Sequence, residues 1–170
     1  MFLLQDLPDA ATVDRFGEAY GPIPHERVLL FLNVLRTGSD LLVALDKFLS
    51  GYGLTHGRWI TLILLMREAD NSARPADLAE KQGVTRATMT GLLQRLEADA
   101  LIRRLPHGDD GRSITITLTD KGRTLLESVM PEYYRRVSLL MDDMNTKALL
   151  KALDVIRTLG ERSGQLAAPT

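Results

Sequence analysis

Hydrogen-bonding side chains recur at helical spacing on one side of residues 86–99. If Thr85 caps a helix there, a step of about 100° per residue defines a buried side. The apolar residues fall on that side: Met89, Leu92, Leu93 and Leu96. The outward side and its flanks carry small or hydrogen-bonding residues: Arg86, Ala87, Thr88, Thr90, Gly91, Gln94 and Arg95. In a DNA major groove Arg bonds guanine, Gln bonds adenine, Thr serves either base, and Gly lets the backbone approach. The pattern therefore predicts a helix that reads base edges, because the alternative, a merely solvated face, would carry Lys and Glu.

Basic residues follow on a predicted β-hairpin, in which strand-like "LIRRL" and alternating "ITITLT" flank a tip rich in Gly, Asp and Pro. The hairpin carries Arg103, Arg104, His107 and Arg112. These residues supply a local positive charge, since residues 74–123 hold nine Lys/Arg against seven Asp/Glu while the whole chain has a net charge of −1. Phosphate contacts, which fix the register on DNA without reading sequence, are assigned to Arg86, Thr88, Arg95 and Lys121.

The residues before this helix have the spacing of a helix-turn-helix. Small Ala79 lets two helices cross closely, and Gly83 can turn the chain with a positive φ. Pro75 suits the first turn of the first helix. Helix, turn, helix and hairpin together predict a winged helix-turn-helix domain over residues 53–123, in a fold that is mainly α with a small β-wing.

The chain resembles the MarR-type transcriptional regulators, which are dimeric winged-helix proteins. The matching segments are "GLTHGRWITL" at 53–62, "LAEKQGVTRATMTGLLQRLE" at 78–97, "LIRR" at 101–104 and "DGRSITITLTDKG" at 110–122. The similarity in layout covers roughly residues 25–160. The family usually has Gly where Ala100 stands. We therefore expect the turn into the wing to be built differently here, because a left-handed cap would cost Ala roughly 1 kcal/mol.

The resemblance also implies roles for individual residues. Arg112, near the wing tip, would enter the adjacent minor groove. Asp110 would orient wing or helix arginines by ion pairing, and an ordinary turn residue is the equal alternative. Family members often bind small aromatic or phenolic acids between the dimerisation helices and the winged helix-turn-helix domain, which we call the reading head. The residues that could line such a cleft are Phe31, His56, Arg58, Trp59 and Tyr133 or Tyr134. The alternative places Trp59 in the core and Arg58 on the surface as a solvated charge.

Helices at both ends of the chain are expected to form a homodimer. Residues 1–23 are an apolar N-terminal arm with a short helix near 12–20, which packs on the body or on a partner, a solvated arm being the alternative. The dimerisation helices are assigned to 24–52 and 124–165. The first is apolar on more than one side, and Gly38 and Ser39 allow a bend in it. In the second region Thr119 is expected to cap one helix, Pro131 to kink it, and Asn145 to cap the next.

Composition excludes several classes of site. The chain has no cysteine, which rules out disulfides, Cys-ligated zinc and thiol redox sensing. Its three histidines lie far apart, and no glycine-rich phosphate loop or nucleophile motif occurs, so neither a metal, a cofactor nor an enzyme activity is predicted. We expect a cytoplasmic protein without a membrane segment, because there is no signal peptide and no run of about 18 apolar residues.

The sequence thus predicts a homodimeric regulator of transcription that binds double-stranded DNA at a pseudo-palindromic operator, as a repressor relieved by a small ligand. The alternative is a winged-helix module that contacts a protein and not DNA. Affinity that falls steeply with salt would distinguish DNA binding from the alternative.

Overall fold

A computed structural model describes residues 2, 4–107 and 113–168 of the 170-residue chain. The chain forms two compact units, Met1–Glu127 and Ser128–Thr170. The first contains α1 (Ala10–Tyr20), α2 (His25–Ser50), α3 (His56–Arg67), β1 (Ser72–Ala73), α4 (Pro75–Gln82), α5 (Arg86–Ala98), β2 (Ile102–His107) and β3 (Ser113–Leu118). The boundary falls inside α6 (Asp120–Leu140), and the second unit continues with α7 (Thr146–Arg162) and a short 3-10 turn (Ser163–Leu166). The predicted fold class, mainly α with a small β-wing, is confirmed.

The N-terminal arm is tied to α2. Asp9 accepts a hydrogen bond from the Thr12 amide at 2.8 Å, which starts α1 two residues before the predicted helix. The Phe2 amide donates to Ser39 Oγ at 3.1 Å, and His25 Nδ1 lies 3.0 Å from Asp14 Oδ1. The arm therefore packs on the body, as expected, and the solvated alternative does not apply to its described part.

Helix α2 runs for 26 residues and is not interrupted at Gly38 and Ser39. Only Leu49 on α2 is buried, and apolar side chains on its other faces remain exposed. By length and composition alone, α2 could cross a membrane, and none of its 18-residue apolar window is buried in the protein. Arg36 and Asp40, an ion pair one turn apart, interrupt the apolar sequence of α2, so it contains no unbroken run of about 18 apolar residues. The helix is apolar on more than one side, as the sequence predicted.

The wing is part of a three-stranded antiparallel sheet in the order β1-β3-β2. Ile102 pairs with Leu118 and Arg104 with Ile116 across β2 and β3, while Ser72 on β1 pairs with Thr117. Strand β1 was not predicted because a segment of two residues shows no alternation. The sheet and α3 to α5 share one apolar core, whose fully buried residues include Leu62, Leu65, Leu78, Leu93, Leu96, Ile102 and Ile116.

Both predicted caps of the C-terminal helices are confirmed. Thr119 Oγ1 accepts a hydrogen bond from the Gly122 amide at 3.1 Å, and Asn145 Oδ1 accepts one from the Ala148 amide at 2.9 Å. A Cβ on Gly122 would overlap the Leu101 carbonyl oxygen and lie 2.8 Å from Leu118 Cδ1, so only glycine fits at this first turn of α6. Pro131 lies within α6 without ending the helix.

The turn from α5 into the wing corrects one expectation. Ala100 has φ 57°, so it takes the left-handed conformation that the family's glycine would take, although the sequence predicted a different turn. Hydrogen bonds to both backbone groups of Ala100 hold this conformation, since its amide donates to the Glu97 carbonyl at 2.8 Å and its carbonyl accepts from the Thr119 side-chain Oγ1 at 2.8 Å. These contacts hold the strained residue in place.

Candidate nucleic-acid interface

The turn between α4 and α5 fixes where the second helix starts. Gly83 has φ 67°, and the Val84 amide donates to the Ala79 carbonyl at 3.0 Å, which closes a left-handed helix cap. Thr85 then accepts a hydrogen bond from the Thr88 amide at 3.1 Å as the N-cap of α5. The helix-turn-helix predicted from Ala79 and Gly83 is therefore present, and α5 holds the position of a recognition helix.

The two sides of α5 differ in burial as the sequence predicted. Met89, Leu93 and Leu96 are buried, and Leu92 is half-buried. The outward residues are exposed, apart from half-buried Gly91: Arg86, Ala87, Thr88, Thr90, Gln94 and Arg95. Nothing lies within 4 Å of a Cβ placed on Gly91, so its surface is open. The outward face of α5 is therefore available to a partner that fits a narrow polar helix.

The threonine hydroxyls on this face bond to the helix itself. Thr88 Oγ1 lies 3.0 Å from Thr85 Oγ1, and Thr90 Oγ1 donates to the Arg86 carbonyl at 2.9 Å. A hydroxyl that donates to a carbonyl one turn back keeps its lone pairs as acceptors. Among the outward residues, hydrogen-bond donation to bases or phosphates thus falls mainly to Gln94 and to the arginines.

The cations predicted beside α5 separate into two groups. Arg86, Arg95 and Arg103 are exposed, and no ion pair involves them in the described part of the chain. By contrast, Arg104 Nε lies 3.0 Å from Glu97 Oε2, and Lys121 Nζ donates to the Asp99 carbonyl at 2.8 Å. The last two therefore contact the end of α5 itself.

Three predicted wing residues cannot be located as side chains. Asp110 and Arg112 lie outside the described residues, so their proposed ion pairing and minor-groove insertion stay predictions. His107 ends β2 and pairs with Ser113 on β3 through the backbone register. The described part of the hairpin is thus continuous with the sheet beside α5.

The residues predicted to line a ligand cleft do not all come together. His56 and Trp59 lie in the first turn of α3 with ring centroids 6.4 Å apart, and Trp59 is buried. The His56 amide donates to Oδ1 of Asp46 on α2 at 2.8 Å. Phe31 lies on α2 as well, but it precedes Asp46 by 15 residues, about 22 Å along the helix at 1.5 Å per residue. Tyr133 belongs to the second unit, where its ring centroid is 5.6 Å from that of Tyr134. Within one unit, only the residues of α3 form a cluster.

Arg58 is neither solvated nor open to a ligand. Its Nη2 bonds the Asp99 carboxylate, its Nη1 donates to the Gly53 carbonyl at 3.0 Å, and its side chain is only 11% exposed. Asp99 and Glu97, which receive cations from other elements, were not among the residues predicted from the sequence. A signal was present, because two acids at the C-terminal end of a helix oppose its dipole and need a reason to be there.

Comparisons with known proteins agree with this geometry. A family model described as the MarR family matches residues 52–113. The HTH-type transcriptional repressor YetL of Bacillus subtilis is 30% identical over 159 residues, which cover 94% of this chain and 95% of that protein. A MarR family regulator from Streptomyces coelicolor, solved in complex with DNA, superposes with a TM-score of 0.75 at 24% identity, over 85% of this chain and 91% of that chain.

Another solved structure concerns a regulator that responds to a small molecule. BpsR of Bordetella bronchiseptica, whose DNA binding is regulated by 6-hydroxynicotinic acid, has a TM-score of 0.63 at 22% identity, over 75% of this chain and 96% of that chain. These likenesses show the shared winged-helix fold, and the identity with the Bacillus repressor over nearly the whole chain shows the family. The chain belongs to the MarR family, whose members regulate transcription and are not enzymes.

Proposed function

We propose that the protein is a cytoplasmic repressor that binds a pseudo-palindromic operator as a homodimer. One α5 helix enters each of two successive major grooves, whose centres lie about 34 Å apart. The observation that carries the proposal is the exposed, polar, narrow face of α5, placed by the left-handed turn at Gly83. A helix of 13 residues is about 20 Å long, enough to reach several successive base pairs.

Three arginines are the proposed contacts to DNA phosphates or bases. Arg86 and Arg95 flank the outward face of α5, and Arg103 stands exposed on the neighbouring strand. Because the whole chain has a net charge of −1, attraction to DNA depends on this local group. Gln94, between the two helical arginines, is the proposed reader of a base edge.

A second copy of the chain is the proposed partner of the terminal helices. Leu41, Leu42 and Val43 on α2 are 48–55% exposed, and Leu150 and Ile156 on α7 are 56% and 50% exposed. Contiguous exposed apolar surface is typical of a protein interface, and a two-fold dimer would cover the same surface on both copies.

The expected result of sedimentation is a dimer. Leu42→Glu is expected to shift the equilibrium between dimer and monomer toward the monomer, while Lys47→Glu, at an exposed residue of the same helix, is expected to leave it unchanged.

Fluorescence anisotropy with the DNA upstream of the protein's own reading frame tests DNA binding directly. The wild type is expected to bind with an affinity that falls steeply as salt rises. Gln94→Ala is expected to weaken binding, whereas Gln165→Ala, a matched change at an exposed residue near the C-terminus, is not. Arg112→Ala is expected to weaken binding by about 1–3 kcal/mol. A folded dimer that binds no DNA at any salt concentration would overturn the proposal and favour the protein-interaction module.

A small aromatic acid is the proposed effector, which would shift the population of dimers away from the spacing that fits DNA. The support is the His56 and Trp59 ring pair at the start of α3, next to the Asp46 contact with α2. The test measures whether 6-hydroxynicotinic acid and related aromatic acids raise the Tm of the protein. Fluorescence anisotropy then measures whether each stabilising compound weakens DNA binding. Stabilisation that is lost in His56→Ala supports the site, and stabilisation that persists in this variant contradicts it.

A further inference from the structure

The last turn of α5 and the residue after it carry two acids, Glu97 and Asp99. The C-terminal end of a helix has a partial negative charge, so acids there destabilise the helix unless cations neutralise them. Both acids receive a cation, and each cation comes from a different element of the winged domain. We call the group formed by Glu97, Asp99, Arg58, Arg104 and Lys121 the C-terminal clamp.

Three contacts build the clamp. From α3, Arg58 bonds the Asp99 carboxylate and the Gly53 carbonyl, with its side chain 11% exposed. From α6, Lys121 donates to the Asp99 carbonyl at 2.8 Å. From β2, Arg104 Nε lies 3.0 Å from Glu97 Oε2. The end of α5 is therefore attached to the helix before the reading head, to the wing, and to the helix that follows it.

The clamp lies at the C-terminal end of α5, about one turn from Gln94 and Arg95 and at the opposite end from Arg86, so loss of the clamp displaces Arg86 most. Thr85, the N-cap of α5, and Asp99, its C-cap, lie at opposite ends of a 13-residue helix about 20 Å long. If α5 tilted by about 10° about its clamped end, the other end would move by about 3 Å. That displacement exceeds the few tenths of an ångström within which a binding group must be held.

We propose that Arg58, Arg104 and Lys121 are positioning residues, which hold the recognition helix in the orientation that fits the major groove and do not themselves contact DNA. The inference rests on the proposed function and assigns Lys121 a role other than the phosphate contact expected from the sequence. It assigns Arg104 a role other than the DNA contact expected of a basic wing residue. It also assigns Arg58 a role other than binding a ligand carboxylate. A residue that acts through α5 changes the fraction of binding-competent protein, whereas a phosphate contact changes the number of ions released on binding.

The salt dependence of DNA affinity separates these two roles. Arg58→Gln is expected to raise the dissociation constant about fivefold, as a competent fraction of about one fifth would, with the slope of log affinity against log salt unchanged. Arg104→Gln is expected to behave in the same way. Arg103→Gln, the reference for a phosphate contact, is expected to reduce that slope by about 1. Arg67→Gln, an equal loss of charge at the exposed other end of α3, is expected to leave both quantities unchanged.

Asp99→Asn gives the sharpest distinction, because its two possible effects on affinity have opposite signs. Removing a negative charge from a DNA-binding domain strengthens binding by simple electrostatics. The clamp predicts that Asp99→Asn weakens DNA binding as much as Arg58→Gln does. It also predicts that the double variant, with both substitutions, binds no more weakly than either single variant. Three results would overturn the inference. Asp99→Asn could leave DNA affinity unchanged or raise it, the losses of affinity could add in the double variant, or Arg58→Gln and Arg67→Gln could change affinity equally.

Two controls keep the outcome independent of folding and of the proposed function. The active fraction of each variant is measured by stoichiometric titration, at a temperature where circular dichroism shows it to be folded. If Arg58→Gln does not fold, Arg58→Lys, which keeps the charge but loses the planar fork, is expected to show the same rise in dissociation constant at an unchanged salt slope. Failure of the wild type to bind DNA refutes the proposed function, whereas wild-type binding with unaffected clamp variants refutes only the clamp.

Discussion

Replacing Ala100 by Gly is expected to stabilise the protein. Ala100 is an exposed residue with φ 57°, at the turn from α5 into β2. In this conformation the Cβ of an L-residue crowds the following carbonyl oxygen, at a cost of roughly 1–2 kcal/mol. Its hydrogen bonds with Glu97 and Thr119 involve only the backbone atoms of Ala100, so they survive the substitution.

The size of the effect follows from two opposing contributions. Glycine removes the steric cost but loses more conformational freedom on folding, which costs about 0.5–1 kcal/mol. Because Ala100 is exposed, removing its methyl group sacrifices little buried apolar surface. The net gain in the free energy of unfolding is therefore about 0.5–1 kcal/mol, or a rise of about 1–4 °C in Tm for a chain of this length.

Urea unfolding at a fixed protein concentration measures the change, since formation of the proposed dimer would make stability depend on concentration. Ala100→Gly is expected to raise the midpoint with no change in the m-value. Ala98→Gly, two residues earlier and in helical conformation, is the matched control and is expected to lower stability by about 0.5–1 kcal/mol. If both substitutions lowered the midpoint equally, the left-handed turn at Ala100 would be refuted.

Three further predictions follow from local geometry. Gly122→Ala is expected to destabilise the protein by at least about 1–3 kcal/mol in urea unfolding, because the new Cβ overlaps the Leu101 carbonyl oxygen. Thr85→Ala is expected to cost about 1 kcal/mol in the same measurement, through loss of the α5 N-cap. The hydrogen bond that protonated His25 donates to the Asp14 carboxylate raises the pKa of His25, so the stability contributed by this pair is fully present below the ordinary pKa and disappears as pH rises through the raised value. His25→Gln is therefore expected to have a lower Tm than the wild type near pH ~5.5, and the same Tm near pH ~9.

Each of these predictions has a control and an outcome that contradicts it. The control for Gly122→Ala is Gly160→Ala in α7, where nothing lies near the new Cβ, and it is expected to leave stability unchanged or to raise it. If Gly122→Ala changed stability by the same amount as Gly160→Ala, the overlap with the Leu101 carbonyl would be contradicted. Thr158→Ala removes an exposed helical hydroxyl that is not an N-cap, and it should cost less than Thr85→Ala. A Tm difference for His25→Gln that grew with pH would have the wrong sign for the Asp14 contact.

The local features of the reading head could be predicted from the sequence. The buried side of α5, its N-cap Thr85 and the turn at Gly83 follow from helical periodicity, a capping hydroxyl and a residue that tolerates positive φ. The caps Thr119 and Asn145 followed from the same local rules. These features depend on residues within one helical turn, so a single sequence contains the information.

Features set by tertiary contacts could not be predicted. Strand β1 exists because Ser72 and Ala73 pair with β3, more than 40 residues later in the chain. Lys121 was assigned to a phosphate, and Arg104 to the DNA-binding charge of the wing, because charge and spacing do not reveal that Asp99 and Glu97 lie beside them in the fold. Ala100 adopts a conformation that its own preference disfavours, since the Glu97 and Thr119 bonds around it outweigh the local cost.

The apolar surface of α2 has a practical consequence for handling the protein. A helix with an unburied apolar window of 18 residues offers detergent molecules the same surface that it would offer a second copy. In the proposed dimer, micelles would compete with the second copy for this surface and separate the two subunits. Recognition helices in separated subunits have no fixed distance between them, so each subunit would bind a single half-site at best.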